Sequence, residues 1–248
     1  MTTKTENHTH NIERLRWEKR RRTLRVINVM RLTPHMQRIT FQSDDLHDFA
    51  SLAHDDHIKI LLPVAGEADS FVTREYTPRY FDTQARTLVL DFALHQHGPA
   101  NAWATQAKAG DTLIISGPGK SMVVADDFDW YLLIGDATAL PAITRRVEQL
   151  RAGVHVTSMV MLADAADHQA CVTTANWQAQ WLIRDHDSVS DEQALLAAAA
   201  AYQFPPGDGY IWIAAEKQVA RALRTYMVEQ RGQPEAWIKS SSYWTREA

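Results

Sequence analysis

The hydrophobic pattern of the chain changes near residue 125, and this change limits the fold more than any other feature. Between Leu24 and Gly119, short runs of alternating apolar and polar residues, such as TLRVINVMRLT and MQRITFQS, predict β-strands. A single helix is expected among them, opened by Pro99 and ended by Gly110. Many short strands with one helix favour an antiparallel barrel.

From Asp129 onward, strand and helix patterns alternate. The compact apolar runs WYLLIGD, VHVTSMVML and YIWIAAE predict strands buried on both faces, and helical patterns lie between and after them. Such alternation predicts a parallel sheet covered by helices. We therefore expect two domains, at residues 23–125 and 126–248, preceded by a basic lead-in at residues 1–22 that we expect to be disordered.

Composition excludes several kinds of site. The chain has 248 residues, a formal net charge of −4 and one cysteine, Cys171. A single cysteine excludes an intramolecular disulfide framework, an all-cysteine zinc site and a cysteine-ligated iron–sulfur cluster. The N-terminus lacks the apolar core of a signal peptide, and no apolar run approaches the ~20 residues that span a membrane. We expect a soluble cytoplasmic protein; the sequence does not determine its oligomeric state, and a monomer is our working expectation.

Basic residues crowd the stretch from Arg14 to Arg25. One interpretation is an arm that binds nucleic acid or anionic lipid. The other is a solvated lead-in to the first strand. We favour the lead-in, and expect no nucleic-acid partner, because Trp17 is the only aromatic residue there, whereas nucleic-acid surfaces interleave aromatic with basic side chains.

The segment TREYTPRYFD, residues 73–82, carries side chains suited to a flat, anionic cofactor such as a flavin dinucleotide. Arg74 offers a fork of donors for phosphate, Tyr76 a flat face, and Thr77 a small hydroxyl. Strand alternation places Arg74 and Tyr76 on one side. Taken alone, the pattern favours an ordinary exposed strand, where Arg-x-Tyr-Thr often occurs by chance.

Two loops could hold a nucleotide. Gly98, Pro99 and Ala100 precede or open the predicted helix, whose free N–H groups suit a pyrophosphate. His95 and His97 lie just before them and could contact phosphate, ligate a metal or simply occupy the loop; no further ligand falls at suitable spacing, so no metal site is expected. The loop in IGDATALPAI follows a buried strand, where ligands bind in open α/β sheets, but it lacks the Rossmann glycines and a Walker lysine.

Seven segments, in their order, resemble the siderophore-interacting proteins, a family of ferredoxin-reductase-like flavoproteins. The segments are DDHIKILLP, REYTPRY, DFALHQHGPANAWATQAKAGD, GPGKSMVV, GDATALPAI, YIWIAAEKQVARALR and SSYWTRE. The resemblance covers about residues 24–246. The resemblance implies an N-terminal antiparallel six-stranded FAD-binding β-barrel, followed by an NAD(P)-binding α/β domain with a C-terminal tail near the flavin.

The resemblance also implies a ferric-siderophore reductase. NAD(P)H would reduce bound FAD, which would pass single electrons to chelated Fe(III) so that Fe(II) is released. A general NAD(P)H flavin or quinone reductase, and a non-catalytic siderophore-binding or iron-delivery protein, remain alternatives. NADPH and NADH are not distinguished, although Arg145 and Arg146, or Lys217 and Arg221, could meet a 2′-phosphate.

The site residues implied by the resemblance form two sets. The residues expected to bind and position the cofactors are Arg74, Tyr76, Thr77, Asp91, Phe92, His95, His97, Gly98, Pro99, Ala100, Trp103, Gly135, Asp136, Thr138, Ala139 and Glu216. The cations expected to bind the anionic chelate are Lys59, Arg79, Lys239 and Arg246. The tail departs from the Tyr-Trp-Arg-Arg-Gly sequence of many relatives at Thr245 and Glu247, which changes the charge near the chelate. His54, Asp55, Asp56 and His57 are interpreted as a loop, because neighbouring positions on a strand face opposite ways.

Overall fold

The computed structural model describes residues 10–64, 66, 70–94, 98–184 and 189–246. Within these ranges the strands form three sheets. The strands are β1 Ile12–Arg16, β2 Arg21–Thr33, β3 Met36–Gln42, β4 Ile58–Pro63, β5 Phe71–Tyr76, β6 Pro78–Asp82, β7 Thr87–Ala93, β8 Thr112–Ser116, β9 Lys120–Val124, β10 Trp130–Asp136, β11 His155–Leu162, β12 Asn176–Ile183, β13 Gly209–Glu216 and β14 Ile238–Trp244. The helices are α1 Pro99–Gln106, α2 Leu140–Gln149, α3 Asp191–Ala201 and α4 Lys217–Thr225. None of these described helices has the length and apolar character needed to cross a membrane.

The first large sheet is antiparallel and has seven strands, in the order β5-β4-β8-β2-β3-β7-β6. Alternation along β2 buries Leu24 and Val26 in an apolar core shared with β3, β4, β7 and β8. The two edge strands, β5 and β6, are consecutive in the chain and joined through Thr77. The sheet therefore curls around its core.

The expected count of six strands differs from the seven observed. The difference arises in TREYTPRYFD, which we treated as one strand with a turn and which is divided at Thr77 into β5 and β6. Pro78 has no N–H to donate to a ladder, and the register of β6 against β7 shifts between Pro78 and Tyr80. The chain therefore leaves one edge of the sheet and joins the other.

The second large sheet confirms the predicted parallel architecture. Its five strands, in the order β12-β11-β10-β13-β14, all run parallel. Every residue of β10 and of β13 is buried, as expected for central strands covered on both faces. Helix α3 begins with a capping box between Ser190 and Gln193. The fifth strand, β14, lies in the segment that we treated as a tail.

Part of the expected lead-in belongs to the folded structure. Strand β1 pairs antiparallel with β9, from Ile12 opposite Val124 to Arg16 opposite Lys120, and β2 already begins at Arg21. The His10 ring is buried, stacked 3.6 Å from the Phe128 ring. The expectation of disorder over residues 1–22 is therefore wrong for the part that the structure describes. A five-residue strand paired with a distant partner leaves little periodicity to detect.

Buried polar contacts of α2 join the two large sheets. The Arg145 guanidinium donates to Ser51 Oγ at 2.9 Å, to the Ser51 carbonyl at 2.7 Å and to the Pro78 carbonyl at 2.8 Å. Arg146 is also buried, with its guanidinium 4.8 Å from the Tyr131 ring centroid. Because both side chains are buried, neither arginine is available for a nucleotide 2′-phosphate. The sequence could not show this, since helical periodicity does not reveal which charged residues of a helix pack against another part of the fold.

The contacts of Arg145 predict its contribution to stability. Arg145→Met keeps much of the side-chain volume but leaves three buried acceptors without their donor, so we expect the free energy of unfolding to fall by about 3 kcal/mol. Urea unfolding followed by fluorescence and circular dichroism measures this change. The control Arg224→Ala breaks an exposed pair with Glu235 and should cost under about 1 kcal/mol. Equal losses in the two variants would contradict the joining role of Arg145.

Candidate functional site

A cavity of about 720 Å³ is lined by residues of all three sheets. One wall comes from β5 of the antiparallel sheet and the start of helix α1. A second comes from the loop after β10 and from β14 of the parallel sheet, and a third from the β1–β9 ribbon. The predicted site residues on its wall are Arg74, Tyr76, Thr77, Asp91, Gly98, Pro99, Ala100, Thr138 and Lys239. Segments far apart in sequence therefore converge there.

Tyr76 lies at the end of an aromatic column. Its ring centroid is 4.5 Å from that of Phe92, which is fully buried and lies 5.8 Å from Trp103. Phe92 and Trp103 do not line the cavity; they support the Tyr76 ring from behind. Burial raises the pKa of the Tyr76 phenol, and the charge of Arg74 opposes this only in part. The phenol is therefore neutral at physiological pH.

Arg74 and the start of α1 supply donors for an anion. Arg74 is exposed, makes no ion pair with another described residue, and donates to the Thr73 carbonyl at 3.0 Å. Gly98 precedes α1 with φ of 106°, a conformation that favours glycine, and no side-chain hydrogen bond caps the helix there. Asp91 also lines the cavity, but two hydrogen bonds of 2.7 Å from Arg38 compensate its charge. His95 and His97 lie outside the described residues.

The loop after β10 is fixed by its own carboxylate. Asp136 is buried and accepts from the Thr138 N–H at 2.9 Å and from the Trp244 indole N–H at 2.8 Å. Gly135 is needed for close packing, because a Cβ there would lie 2.5 Å from both Ala139 Cβ and the Ala214 carbonyl oxygen. Of the four residues predicted in this loop, only Thr138 lines the cavity; Gly135, Asp136 and Ala139 support it.

Glu216 is a helix cap and does not line the cavity. One carboxylate oxygen accepts from the Gln218 N–H at 2.6 Å and the Val219 N–H at 3.3 Å, and the other accepts from the Arg246 N–H at 3.3 Å. Burial alone would raise the pKa of Glu216, but these backbone donors outweigh it and hold the pKa below its ordinary value. The residue joins the start of α4 to the C-terminal segment.

Comparison with known proteins assigns the family. The model of the siderophore-interacting protein family matches residues 128–247, and that of the siderophore-interacting FAD-binding domain matches residues 25–72 and 65–122. A relative in Escherichia coli (strain K12), named NADPH-dependent ferric-chelate reductase, is 31% identical over 251 residues that cover 94% of this chain and 96% of the relative. The chain belongs to the siderophore-interacting protein family. The resemblance noted in the sequence is confirmed.

Solved structures agree on the fold. A siderophore utilization protein from T. fusca superposes on this member of the family with a TM-score of 0.89 at 30% identity, covering 96% of this chain and 97% of the other. A ferredoxin-NADP+ reductase from Plasmodium falciparum superposes with a TM-score of 0.67 at 10% identity, covering 89% of this chain and 95% of the other. At that identity the second likeness shows the fold alone. The siderophore-interacting chain therefore has a mixed β and α/β fold of the ferredoxin-reductase kind.

The four cations predicted to bind the chelate occupy different surroundings. Lys239 lines the cavity, but its Nζ lies 2.6 Å from the buried Asp55 carboxylate, which also accepts from the Trp212 indole N–H at 2.9 Å. Lys59 is exposed opposite Glu75 and does not line the cavity. Arg79 likewise lies off the cavity wall, and pairs with Glu148 of α2 through hydrogen bonds of 2.5 and 2.8 Å.

Arg246 is exposed and also lies off the wall. Of the four predicted cations, Lys239 alone lines the cavity, so the structure does not bring the four side chains together on its wall. The partners of Lys239 and Arg79 are distant in sequence, so composition and local spacing gave no sign of them.

The loop interpretation of residues 54–57 holds, but the loop is buried more deeply than a surface turn. His54 donates from Nδ1 to the Ala142 carbonyl at 3.1 Å, and Asp56 accepts from the hydroxyls of Ser51 and Ser121. These partners lie on helix α2, in the loop before β4 and on β9 of the ribbon. The two groups therefore point to separate partners and act as structural contacts.

Several cavity residues were not predicted from the sequence. Tyr243 lines the cavity beside Trp212, at a ring-centroid distance of 6.0 Å, and burial raises the pKa of its phenol. The terminal SSYWTRE segment was the only sign of it. Arg14, Arg16 and Lys120 also line the cavity, from the β1–β9 ribbon. Of its two strands, β1 lies in the lead-in that we had placed outside the two domains.

His54 predicts a pH dependence of stability. Burial lowers the pKa of His54 from 6.5 to about 3, with the charge of Asp55 opposing the change. Between these two pKa values the unfolded chain takes up a proton that the folded chain does not. The free energy of unfolding therefore decreases as the pH is lowered through this window. His54→Gln should remove about 1.4 kcal/mol per pH unit from that slope. Urea unfolding between pH 7 and 5 measures it.

The exposed His47 provides the matched control for this prediction. His47→Gln should keep the slope of the parent protein, because the imidazole lies at the surface and hydrogen-bonds only the Asp44 carbonyl among the contacts described. If the His54→Gln and parent slopes coincide, His54 is not held neutral in the folded protein.

Proposed function

We propose that this protein is an FAD-dependent NAD(P)H oxidoreductase that reduces ferric chelates, with ferric siderophores as substrates. The carrying observation is the cavity in which Arg74, Tyr76 and Thr77 meet the loop after β10 and strand β14. This arrangement brings a flavin-type cradle to the carboxyl ends of a parallel sheet, where nucleotides bind. Membership of the family and the name of the Escherichia coli relative support the same reaction.

The residues present suit FAD. A volume of about 720 Å³ is in the range of cofactor pockets. Tyr76, backed by Phe92, offers a ring face held in place by packing, and Thr77 lies beside it with its side chain buried. Arg74 and the uncapped start of α1 offer donors for a pyrophosphate. We assign Arg74, Tyr76, Thr77, Gly98, Pro99 and Ala100 to holding the cofactor.

The carboxyl ends of β10 and β13 are the proposed place of NADPH. Thr138, in the loop before α2, and Pro141, in the first turn of α2, line the cavity there. Lys217 and Arg221 are exposed, lie one turn apart on α4, and are the cations proposed for a 2′-phosphate, since Arg145 and Arg146 are buried. The proposal of NADPH over NADH also follows the name of the Escherichia coli relative.

The chain contributes orientation and charge to this reaction. When bound, FAD converts a two-electron hydride donor into single electrons suited to Fe(III). Tyr76 and its aromatic column fix the plane of the site, and Thr77 supplies a hydrogen-bonding group at its edge. Asp136, bound by Trp244, fixes the loop that carries Thr138. No residue of the chain is required as an acid or nucleophile.

Three finer features belong to the proposal. We propose that the antiparallel sheet acts as a six-stranded barrel when β5 and β6 are counted as one strand bent at Thr77. We propose a division into an FAD domain at residues 23–125 and an NAD(P)H domain at residues 126–248, each approximately matched by one family model. A cytoplasmic location and a monomeric state remain predictions from the sequence.

Steady-state assays test the proposed function against its alternatives. Protein incubated with FAD should become yellow, retain flavin through gel filtration, and oxidise NADPH with a ferric catecholate or ferric hydroxamate as acceptor. Quinone reduction that far outpaces every ferric chelate would make it a general quinone reductase. Protein that stays colourless after incubation with FAD would be a binding or delivery protein.

Arg74 carries the sharpest prediction for the cofactor. Arg74→Gln removes a charged donor from the cavity wall, and we expect the Kd for FAD to rise about tenfold, since one charge-assisted hydrogen bond is worth about 1.5 kcal/mol. Fluorescence titration of the apoprotein measures this. Arg86→Gln, on an exposed turn away from the cavity, is the control and should leave the Kd unchanged. An unchanged Kd in Arg74→Gln would remove Arg74 from the cofactor site.

A further inference from the structure

The β1–β9 ribbon places three cations on the cavity wall that the proposed function has not used. Arg14 and Arg16 lie two residues apart on β1 and so face the same side of the ribbon. Lys120 lies on β9, directly opposite Arg16. All three line the cavity.

The charges of these cations are not compensated within the described part of the chain. Arg14, Arg16 and Lys120 make no ion pair with any described residue, and Arg14 and Arg16 are exposed. Among the described residues four acids line the cavity, and their contacts lie elsewhere than on the ribbon cations. Asp55 binds Lys239, and Asp91 binds Arg38. Asp56 accepts from the Ser51 and Ser121 hydroxyls, and the exposed Glu75 lies 3.8 Å from the His57 ring. The ribbon therefore gives its side of the cavity a net positive charge.

The ribbon is held in a fixed position. Before β1, the His10 ring contacts the Asp127 carboxylate at 2.8 Å and stacks on Phe128. After β1, the Trp17 N–H donates to the Gly119 carbonyl at 3.1 Å. On β9, the buried Ser121 hydroxyl donates to Asp56. The cations are thus presented by an anchored element, and binding an anion there need not order a free arm.

The other cations of the basic stretch serve different purposes. Arg20 and Arg22 both pair with Asp48, and Arg22 is buried against the Asp45 and Gly117 carbonyls. Arg21 and Arg25 are exposed on β2 and do not line the cavity. Because the stretch is divided in this way, it does not present one continuous basic face of the kind that nucleic acid requires.

We propose that Arg14, Arg16 and Lys120 form an anion-recognition surface that selects ferric chelates by their negative charge. This inference rests on the proposed function and adds the property of the substrate that the site selects. Ferric catecholate complexes carry several negative charges, and cations lining a cleft raise both affinity and association rate for such ligands. The pyrophosphate of FAD is the other possible anion, but Arg74 and the start of α1 already supply donors for it elsewhere on the wall.

Binding of a redox-inert analogue tests the proposal without relying on turnover. The FAD-loaded protein is titrated with Ga(III) tris-catecholate, which is anionic, and with a neutral Ga(III) tris-hydroxamate. For the double variant Arg14→Gln/Arg16→Gln we expect the Kd of the anionic chelate to rise about tenfold, because each lost charge should raise that Kd about threefold. The Kd of the neutral chelate and of FAD should stay within about twofold of the parent values. Added salt should narrow the difference between variant and parent.

The control variant has the same change in charge. Arg21→Gln/Arg25→Gln alters two exposed arginines of the same stretch that lie off the cavity wall, and should bind both chelates like the parent protein. If the β1 variant misfolds, as judged by circular dichroism and flavin content, Lys120→Gln on β9 tests the same surface with about a threefold loss.

Three outcomes would overturn the proposal. The β1 variant could bind the anionic chelate as tightly as the parent, it could lose affinity for both chelates equally, or its FAD affinity could fall instead, which would assign these cations to the cofactor phosphates. Failure of the proposed function is a separate result, because it would appear as absence of ferric reduction by the unaltered protein.

Discussion

The buried Asp55 carboxylate, held by the Lys239 ammonium and the Trp212 indole, is the contact on which the arrangement of the cavity depends. Asp55 belongs to the loop before β4, whereas Lys239 and Trp212 lie on neighbouring strands of the parallel sheet. Burial alone would raise the pKa of Asp55, but His54, Lys239 and Trp212 lower it below its ordinary value. Removing one partner of a buried pair typically costs about 3–5 kcal/mol, because the other charge is left uncompensated. Lys239 is therefore best understood as the counter-ion that holds two walls together.

The same reasoning divides the charges of the cavity into two groups. The acids Asp55 and Asp91, and the cations Lys239 and Arg38, neutralise one another and give the wall its shape. Arg74 and the cations of the β1–β9 ribbon remain without ionic partners among the described residues, and our proposal assigns to them the choice of the anions that the cavity binds. Because the paired residues shape the wall and the unpaired cations give it positive charge, one site could hold a dianionic cofactor and an anionic chelate together. This division also explains why a count of basic residues in the sequence is a poor guide to the chelate site.

The sequence predicted the features that depend on local pattern. Buried strands such as WYLLIGD and the strand–helix alternation identified the parallel sheet, and TREYTPRYFD with HGPAN identified one part of the cavity wall. The sequence did not predict contacts between distant segments. Strand β1 is too short to show a hydrophobic period, and β14 was treated as a tail. Asp55 is separated from its partner Trp212 by 157 positions. The loop motif GDATALPAI was located correctly, yet only Thr138 of its four predicted residues reaches the cavity, because Gly135 and Ala139 pack together and Asp136 binds Trp244.

The most direct measurement is made on FAD-loaded protein that has been reduced anaerobically by NADPH and then mixed rapidly with a ferric catecholate or hydroxamate. Flavin absorbance follows reoxidation, and a strong Fe(II) chelator reports the metal released. We expect the chelate to accelerate reoxidation well beyond the rate in its absence, with about two Fe(II) formed per flavin, because one hydride supplies two electrons. Flavin that stays reduced in the presence of every ferric chelate, while quinones reoxidise it, would contradict ferric reduction at this cavity.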